Sequence, residues 1–173
     1  MTEFNITLRQ AIPDDAKNLI NAISQLNQET PYLVVSPHAL NMPPNTMANE
    51  IQSIYNAPNQ FILLALNDND IIGVSTIVSD DDSAFQHVGE LGITIKKEFW
   101  GLGLGTAMIE ELIQLCLDYE VTKRIEINVQ TRNHRALHLY NKMGFYLEGI
   151  KRKAFLSENN QFIDIAVLSY LLI

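Results

Sequence analysis

The segment Trp100-Gly101-Leu102-Gly103-Leu104-Gly105-Thr106 constrains this chain more than any other. Before it, HVGELGITI reads as a strand. After it, TAMIEELIQLCLDYE carries Met108, Ile109, Leu112, Ile113 and Cys116 at helical spacing. A strand that enters a helix through glycines leaves peptide N–H groups unpaired beside about half a positive charge, on a backbone that a phosphate can approach closely. A pyrophosphate is the ligand such a loop predicts. Glycines that merely turn the chain are the structural alternative. A Walker loop is excluded, because it ends in Gly-Lys-Ser/Thr and Leu104-Gly105-Thr106 has no lysine. A dinucleotide fingerprint built on Gly101 and Gly103 needs glycine where Thr106 stands, and the strand before it is not the first of a βαβ unit.

The remaining pattern supplies the scaffold. ITLRQA reads as a first strand, and Pro13-Asp14-Asp15 opens a helix that Ala16, Leu19, Ile20, Ile23 and Leu26 continue. Pro31, Pro37, Pro43 and Pro44 make Tyr32 to Asn45 irregular, with a second helix resuming near Thr46 and ending before Pro58. FILLAL and IIGVSTIV flank the tight turn Asn67-Asp68-Asn69-Asp70, and Asp80 to Asp82 mark the loop before the fourth strand. Arg124 to Val129 alternates as a half-buried strand, with Ile125, Ile127 and Val129 on one side. Asn133 caps a helix running to about Met143, which Gly144 ends. FYLEGIKRKAF and FIDIAVLSYLLI, divided by Ser157 to Asn160, are two closing strands. The order β, α, α, β, β, β, α, β, α, β, β predicts an α/β protein built on one mixed sheet, and residues 1–173 fit one domain.

Composition narrows the function. With 47% hydrophobic and 18% charged residues the chain is globular rather than disordered. MTEFNITLRQ has no secretory pattern, and even FIDIAVLSYLLI is short and broken by Asp164 and Ser169, so a cytoplasmic protein with no membrane partner is expected. A net charge of −8 argues against nucleic acid as a partner. The charge is uneven: residues 1–95 hold 11 acids against Arg9 and Lys17, whereas residues 96–173 hold 10 bases against 9 acids. Cys116, the lone cysteine, falls mid-helix on the apolar face, where core packing accounts for it. His87, His134 and His138 form no metal-ligand spacing with a carboxylate pair. The run Lys151-Arg152-Lys153 alternates across a strand and is assigned no role.

Two spaced motifs make the reading specific. Gly103-x-Gly105 matches the small positions of Gln/Arg-x-x-Gly-x-Gly/Ala at the start of a third helix. Asn133, Ala136, Tyr140, Gly144 and Phe145 reproduce Asn-x-x-Ala-x-x-x-Tyr-x-x-x-Gly-Phe. In that order they resemble the GNAT superfamily of N-acetyltransferases over nearly the whole chain, weakly in residues 28–60. Trp100 stands in the Gln/Arg position, a departure shared with bacterial members that read Tyr-Trp-Gly-x-Gly-x-Gly. The resemblance implies a mixed, mostly antiparallel sheet with splayed fourth and fifth strands, flanked by about four helices. It implies acetyl-CoA as cosubstrate, no metal, and direct transfer of the acetyl group to a primary amine in a ternary complex. The backbone of Ile93 and Ile95 would hold the pantetheine arm, and Trp100, Leu102, Gly103, Leu104, Gly105 and Thr106 would lie at the pyrophosphate. Asn133, Ala136 and Tyr140 would border the cofactor, Asn133 serving equally well as a plain helix cap.

An alkyl amine, with a pKa of about 10.4, is protonated at neutral pH and cannot attack a thioester until a base takes its proton. Glu90 on the fourth strand is the candidate base. Strict alternation sets Glu90 opposite Leu91, Ile93 and Ile95 unless a bulge shifts it, and a solvent-facing carboxylate is the alternative. Tyr140 is the candidate acid for the departing thiolate, the alternative being a half-buried core tyrosine. Main-chain N–H near Ile95 would steady the oxyanion. Relatives acetylate ribosomal protein termini, polyamines, amino acids, antibiotics and phosphinothricin-like compounds. The loop and the stretch Leu-Glu-Gly-Ile-Lys-Arg-Lys-Ala-Phe resemble members related to ribosomal-protein alanine and spermidine acetyltransferases. The acidic half borders the acceptor side in relatives, so a cationic amine is expected; a homodimer is left open. The competing class is a non-catalytic acetyl-CoA sensor, against which the phenol of Tyr140 speaks.

Overall fold

The computed structural model describes residues 4–32 and 41–173. Its strands are β1 (Ile6–Gln10), β2 (Phe61–Asn67), β3 (Asp70–Ser79), β4 (Val88–Ile95), β5 (Arg124–Gln130), β6 (Tyr146–Leu156) and β7 (Phe162–Leu171). Four α-helices lie among the described residues: α1 (Ala16–Glu29), α2 (Pro44–Asn56), α3 (Leu104–Tyr119) and α4 (His134–Lys142). The strands form one sheet in the order β1-β2-β3-β4-β5-β7-β6, antiparallel throughout except for the parallel pair β4 and β5. This is the mixed α/β arrangement that the element order predicts.

Why β2 reads as a continuous apolar run becomes clear from the layers. Phe61, Leu63 and Ala65 point into a core shared with α3 and α4, while Leu64 and Leu66 point into a second core shared with α1 and α2. Helices therefore cover both faces of this strand, and no alternation of polar residues is needed. Met108, Ile109 and Leu112 of α3 are fully buried, each side chain contributing about 1.5–3 kcal/mol. The two-residue turn between β2 and β3 works as its sequence requires, with Asp68 at φ +53°.

Three boundaries differ from the sequence expectation. Pro13–Asp15 forms a short 3-10 turn before α1, and Asp15 turns inward rather than serving the helix dipole. Its carboxylate accepts Arg9 Nη1 and Nη2 at 2.7 and 2.9 Å and the Ile12 N–H at 2.8 Å, tying β1 to the head of α1. Second, α2 begins at Pro44, not near Thr46, because proline is well tolerated in a first helical turn where its missing N–H is not used. The rest of the expected irregular stretch, residues 33–40, lies outside the described residues. Third, α3 starts at Leu104, so the end of the glycine loop is itself the first helical turn.

No helix among the described residues is long and apolar enough to cross a membrane.

Candidate functional site

The β4–β5 pairing lasts for only three residue pairs, Val88 with Arg124, Gly89 with Ile125 and Glu90 with Glu126. Beyond them each strand stays with its other neighbour. β4 remains paired with β3 as far as Ile95, and β5 with β7 as far as Gln130. A wedge therefore opens between Leu91–Ile95 and Ile127–Gln130, as the resemblance implies. The edges of this wedge carry peptide groups that no neighbouring strand satisfies.

Hydrogen bonds show which peptide groups face it. Lys96 donates its N–H to Ile72 O on β3 at 2.8 Å, while Ile95 O accepts the Trp100 Nε1–H at 2.7 Å. In a strand the N–H and C=O of one residue point the same way, and alternate residues point oppositely. Ile95 and Ile93 thus turn their peptide groups away from β3 and into the wedge. One part of the expectation is corrected: the Ile95 carbonyl is already taken by the indole, so only its N–H is available there, along with both groups of Ile93.

The glycine loop closes the wide end. Gly101 and Gly103 sit at φ +78° and +81°, a backbone region that strains residues bearing a Cβ, and open space lies around the position a Cβ would take on either. Gly103 is the N-cap of α3 and offers no side chain to the helix. From Gly101 to Thr106, six consecutive peptide N–H groups have no hydrogen-bond acceptor among the described residues. That is the donor array an anionic group such as a pyrophosphate requires. Gly105 plays a different part. A Cβ there would meet Leu139 Cδ2 of α4 at 3.1 Å and Ile95 Cδ1 at 3.6 Å, so this glycine serves close helix packing rather than ligand approach.

Trp100 is a post within this site. Besides its bond to Ile95 O, its ring carries the Arg135 guanidinium with Cζ 4.3 Å from the centroid, and Lys97 Nζ lies 5.9 Å from the same centroid. Arg135, brought onto this ring by α4, is a residue that the motif reading passes over. Its only sequence signal is its spacing of four from Leu139 on α4, the residue against which Gly105 packs.

Asn133 is the cap of α4, its Oδ1 accepting the Ala136 N–H at 3.2 Å, and Ala136 packs on the main core. One face further along, Tyr140 is buried, with its ring edge-on to Phe145 at 5.6 Å. Burial pushes its phenol up from the ordinary tyrosine value, so it stays protonated at neutral pH. The hydroxyl has no hydrogen-bond partner, yet the sealed polar side-chain atoms lacking one are Ser75 Oγ and Thr122 Oγ1 among the described residues. The Tyr140 oxygen is therefore reachable from outside although its ring is not.

Glu90 stands at the vertex of the wedge. The β3–β4 register runs one-to-one from Gly73–Ile95 to Ser79–Gly89, so no bulge shifts it, and Glu90 faces away from Leu91. It is exposed, its Oε1 accepting Asn128 Nδ2 at 3.1 Å, and Asn128 Oδ1 in turn meets Lys151 Nζ at 3.4 Å. A cavity of about 370 Å³ opens on this side, lined by Val78, Phe85 and Val88 together with Asp80, Glu90 and Glu126. Glu126 is partly neutralised by Arg124 at 2.6 Å. Across the far end of the wedge, Glu29 Oε2 accepts the Lys97 N–H at 2.7 Å just past β4, and Arg132, just past β5, lies 5.7 Å from the ring of Tyr32, which follows α1.

Cys116 is fully buried, and burial pushes its thiol up to about 11, so the reactive thiolate is suppressed and the residue belongs to the core. Lys151, Arg152 and Lys153 are exposed on the edge strand β6. Among the described residues no group of three or more His, Cys, Asp or Glu side chains is placed to hold a metal ion.

A model of the acetyltransferase (GNAT) family matches residues 20–145. The L-amino acid N-acetyltransferase AaaT of Escherichia coli (strain K12) is 31% identical over 102 residues, 59% of this chain and 62% of that protein, so the match spans less than two thirds of its length. An acetyltransferase of the GNAT family from Streptococcus pneumoniae superposes with a TM-score of 0.93 at 30% identity, over 97% of this chain and 100% of that one. The structure of yncA from Salmonella typhimurium with its cofactor acetyl-CoA shares the fold at 13% identity, with a TM-score of 0.83 over 98% of this chain and 95% of that one.

Proposed function

The chain belongs to the acetyltransferase (GNAT) family, and on that premise we propose that it is an acetyl-CoA-dependent N-acetyltransferase acting directly on a primary amine. The observation that carries this reading is the run of six unpaired N–H groups, Gly101 to Thr106, at the wide end of an open strand wedge. These N–H groups would take the pyrophosphate, and the wedge-facing peptide groups of Ile93 would take the amide-bearing arm, leaving the Ile95 N–H for the acetyl oxygen. When bound, acetyl-CoA supplies an acetyl group activated as a thioester.

The chain's own groups then have three tasks. Glu90 accepts the proton of the incoming ammonium, directly or through a water, which turns a cation of pKa about 10.4 into a nucleophile. The Ile95 N–H, fixed by the Trp100 bond on its own carbonyl, donates to the oxygen that gains charge during attack. Tyr140 delivers a proton, or a hydrogen bond, to the departing sulfur from a ring held rigid by Phe145. Burial opposes full transfer, since it raises the phenol further above a thiol of about 8.5, and favours the hydrogen-bonded role.

The acceptor is a cation on this reading. The cavity beside Glu90 combines Val78, Phe85 and Val88 with Asp80, Glu90 and Glu126, which suits an ammonium carried on an apolar stem. A panel of amines assayed for CoA-thiol release tests the proposal. Polyamines and C-terminally amidated short peptides with free N-termini should yield turnover, and amines with an attached carboxylate, free amino acids among them, should be poorer. No thiol release with any amine, in protein that binds acetyl-CoA, would favour the sensor class instead.

A further inference from the structure

Arg135 and Lys97 flank the Trp100 ring, and neither side chain has an ion-pair partner among the described residues, although the Glu29 carboxylate accepts the Lys97 main-chain N–H at 2.7 Å. This is unusual placement in a chain with 20 acids and 12 bases. The ring they share belongs to the residue that opens the glycine loop leading into α3. That helix end carries about half a positive charge, so a cation beside it is disfavoured rather than helped. Leu139, one turn along α4 from Arg135, touches the Gly105 position, which sets this face of α4 against the first turn of α3. Arg135 thus lies beside the loop that opens a positive helix end, with no ion pair of its own among the described residues.

The indole explains how the arrangement is held. Guanidinium is planar and weakly hydrated, and lying flat on an aromatic face fixes its plane while its N–H groups still point outward. Trp100 cannot itself turn, because its Nε1–H is committed to Ile95 O. We propose that Arg135, held on Trp100, is the side-chain cation for the phosphate groups of the cofactor, and that Trp100 is the platform for that cation rather than a cofactor contact. The proposal rests on the acetyl-CoA reading above. Phosphate chemistry is common to the pyrophosphate and to the 3′-phosphate, and the experiment separates them.

The test titrates the full chain with CoA, dephospho-CoA and pantetheine, using calorimetry at two salt concentrations on wild type, Arg135→Ala and Arg135→Lys. Arg135 is exposed, so these variants should melt with the wild type. Arg135→Ala should weaken CoA binding by about 10-fold or more and reduce its salt dependence, with Arg135→Lys intermediate. An equal loss toward CoA and dephospho-CoA assigns Arg135 to the pyrophosphate, and a loss confined to CoA assigns it to the 3′-phosphate. Trp100 is the only tryptophan, so its emission should respond to CoA and not to pantetheine, which lacks both groups. Unchanged CoA affinity and salt dependence in Arg135→Ala, or an equal emission response to pantetheine, overturns the proposal while leaving the acetyl-CoA reading intact. A wild-type protein that fails to bind CoA overturns that reading itself.

Discussion

Asn128 Nδ2 donates to Glu90 Oε1 at 3.1 Å, bridging β5 and β4 at the point where the two strands part. The bridge holds one carboxylate oxygen of a residue that also lines the neighbouring cavity. Glu90→Gln keeps the size of the side chain and removes its basicity. It should lower kcat by roughly 10²-fold or more at pH 7 while acetyl-CoA affinity stays near wild type. The defect should shrink as pH rises toward 10, where the amine sheds its proton unaided. A pH-independent defect would make Glu90 an orienting group and not the base.

For Tyr140, Tyr140→Phe retains the ring against Phe145 and removes only the hydroxyl. If that hydroxyl assists the departing sulfur, kcat should drop by about 10²-fold at pH 7, and the loss should narrow above pH 8.5, where a thiolate is stable without a proton. Full activity at pH 7 in single-turnover measurements would assign protonation of the thiol to solvent.

Asp15 offers a check on the scaffold. The hydrogen bonds from Arg9 hold its carboxyl below the ordinary carboxylate range, so it contributes stability above a pH of about 3.9 that is lost as pH falls toward the lowered value. Arg9 is partly exposed, and solvent screening keeps the contribution modest. Asp15→Asn should cost about 1–2 kcal/mol at neutral pH, and the gap from wild type should narrow in acid, as pH falls below about 3.9. Denaturant melts at neutral pH and in acid measure it; a gap that persists in acid would mean that shape and not charge is at stake.

Much of this architecture was legible because it is local. The glycine loop declares itself through residues adjacent in sequence, and Asn133 caps the helix it precedes with a side chain three residues from its donor. Alternation alone set Glu90 opposite Leu91, and the unbroken β3–β4 register agrees. What escaped was tertiary. Nothing near Trp100 in sequence announces that its indole will seize the Ile95 carbonyl, or that Arg135, brought by α4, will lie on its ring. Gly105 read as a phosphate-approach glycine like Gly103, since only the packing of α3 on α4 reveals Leu139 against it. Asp15 read as a dipole-facing acid because its partner, Arg9, belongs to a strand and not to the helix.

The central claim is that the main-chain N–H array from Gly101 to Thr106 binds acetyl-CoA. Gly103 is the most direct handle, being the N-cap of α3 at φ +81° with open space around its Cβ position. A valine there strains the loop by roughly 1–2 kcal/mol or rearranges it, and sets a branched side chain where the phosphates would lie. Calorimetric titration of wild type and Gly103→Val with acetyl-CoA, alongside thermal melts, decides the matter. The account predicts one site per chain in the wild type and loss of measurable binding in a variant that still unfolds cooperatively. A folded Gly103→Val that binds acetyl-CoA with wild-type affinity would contradict it.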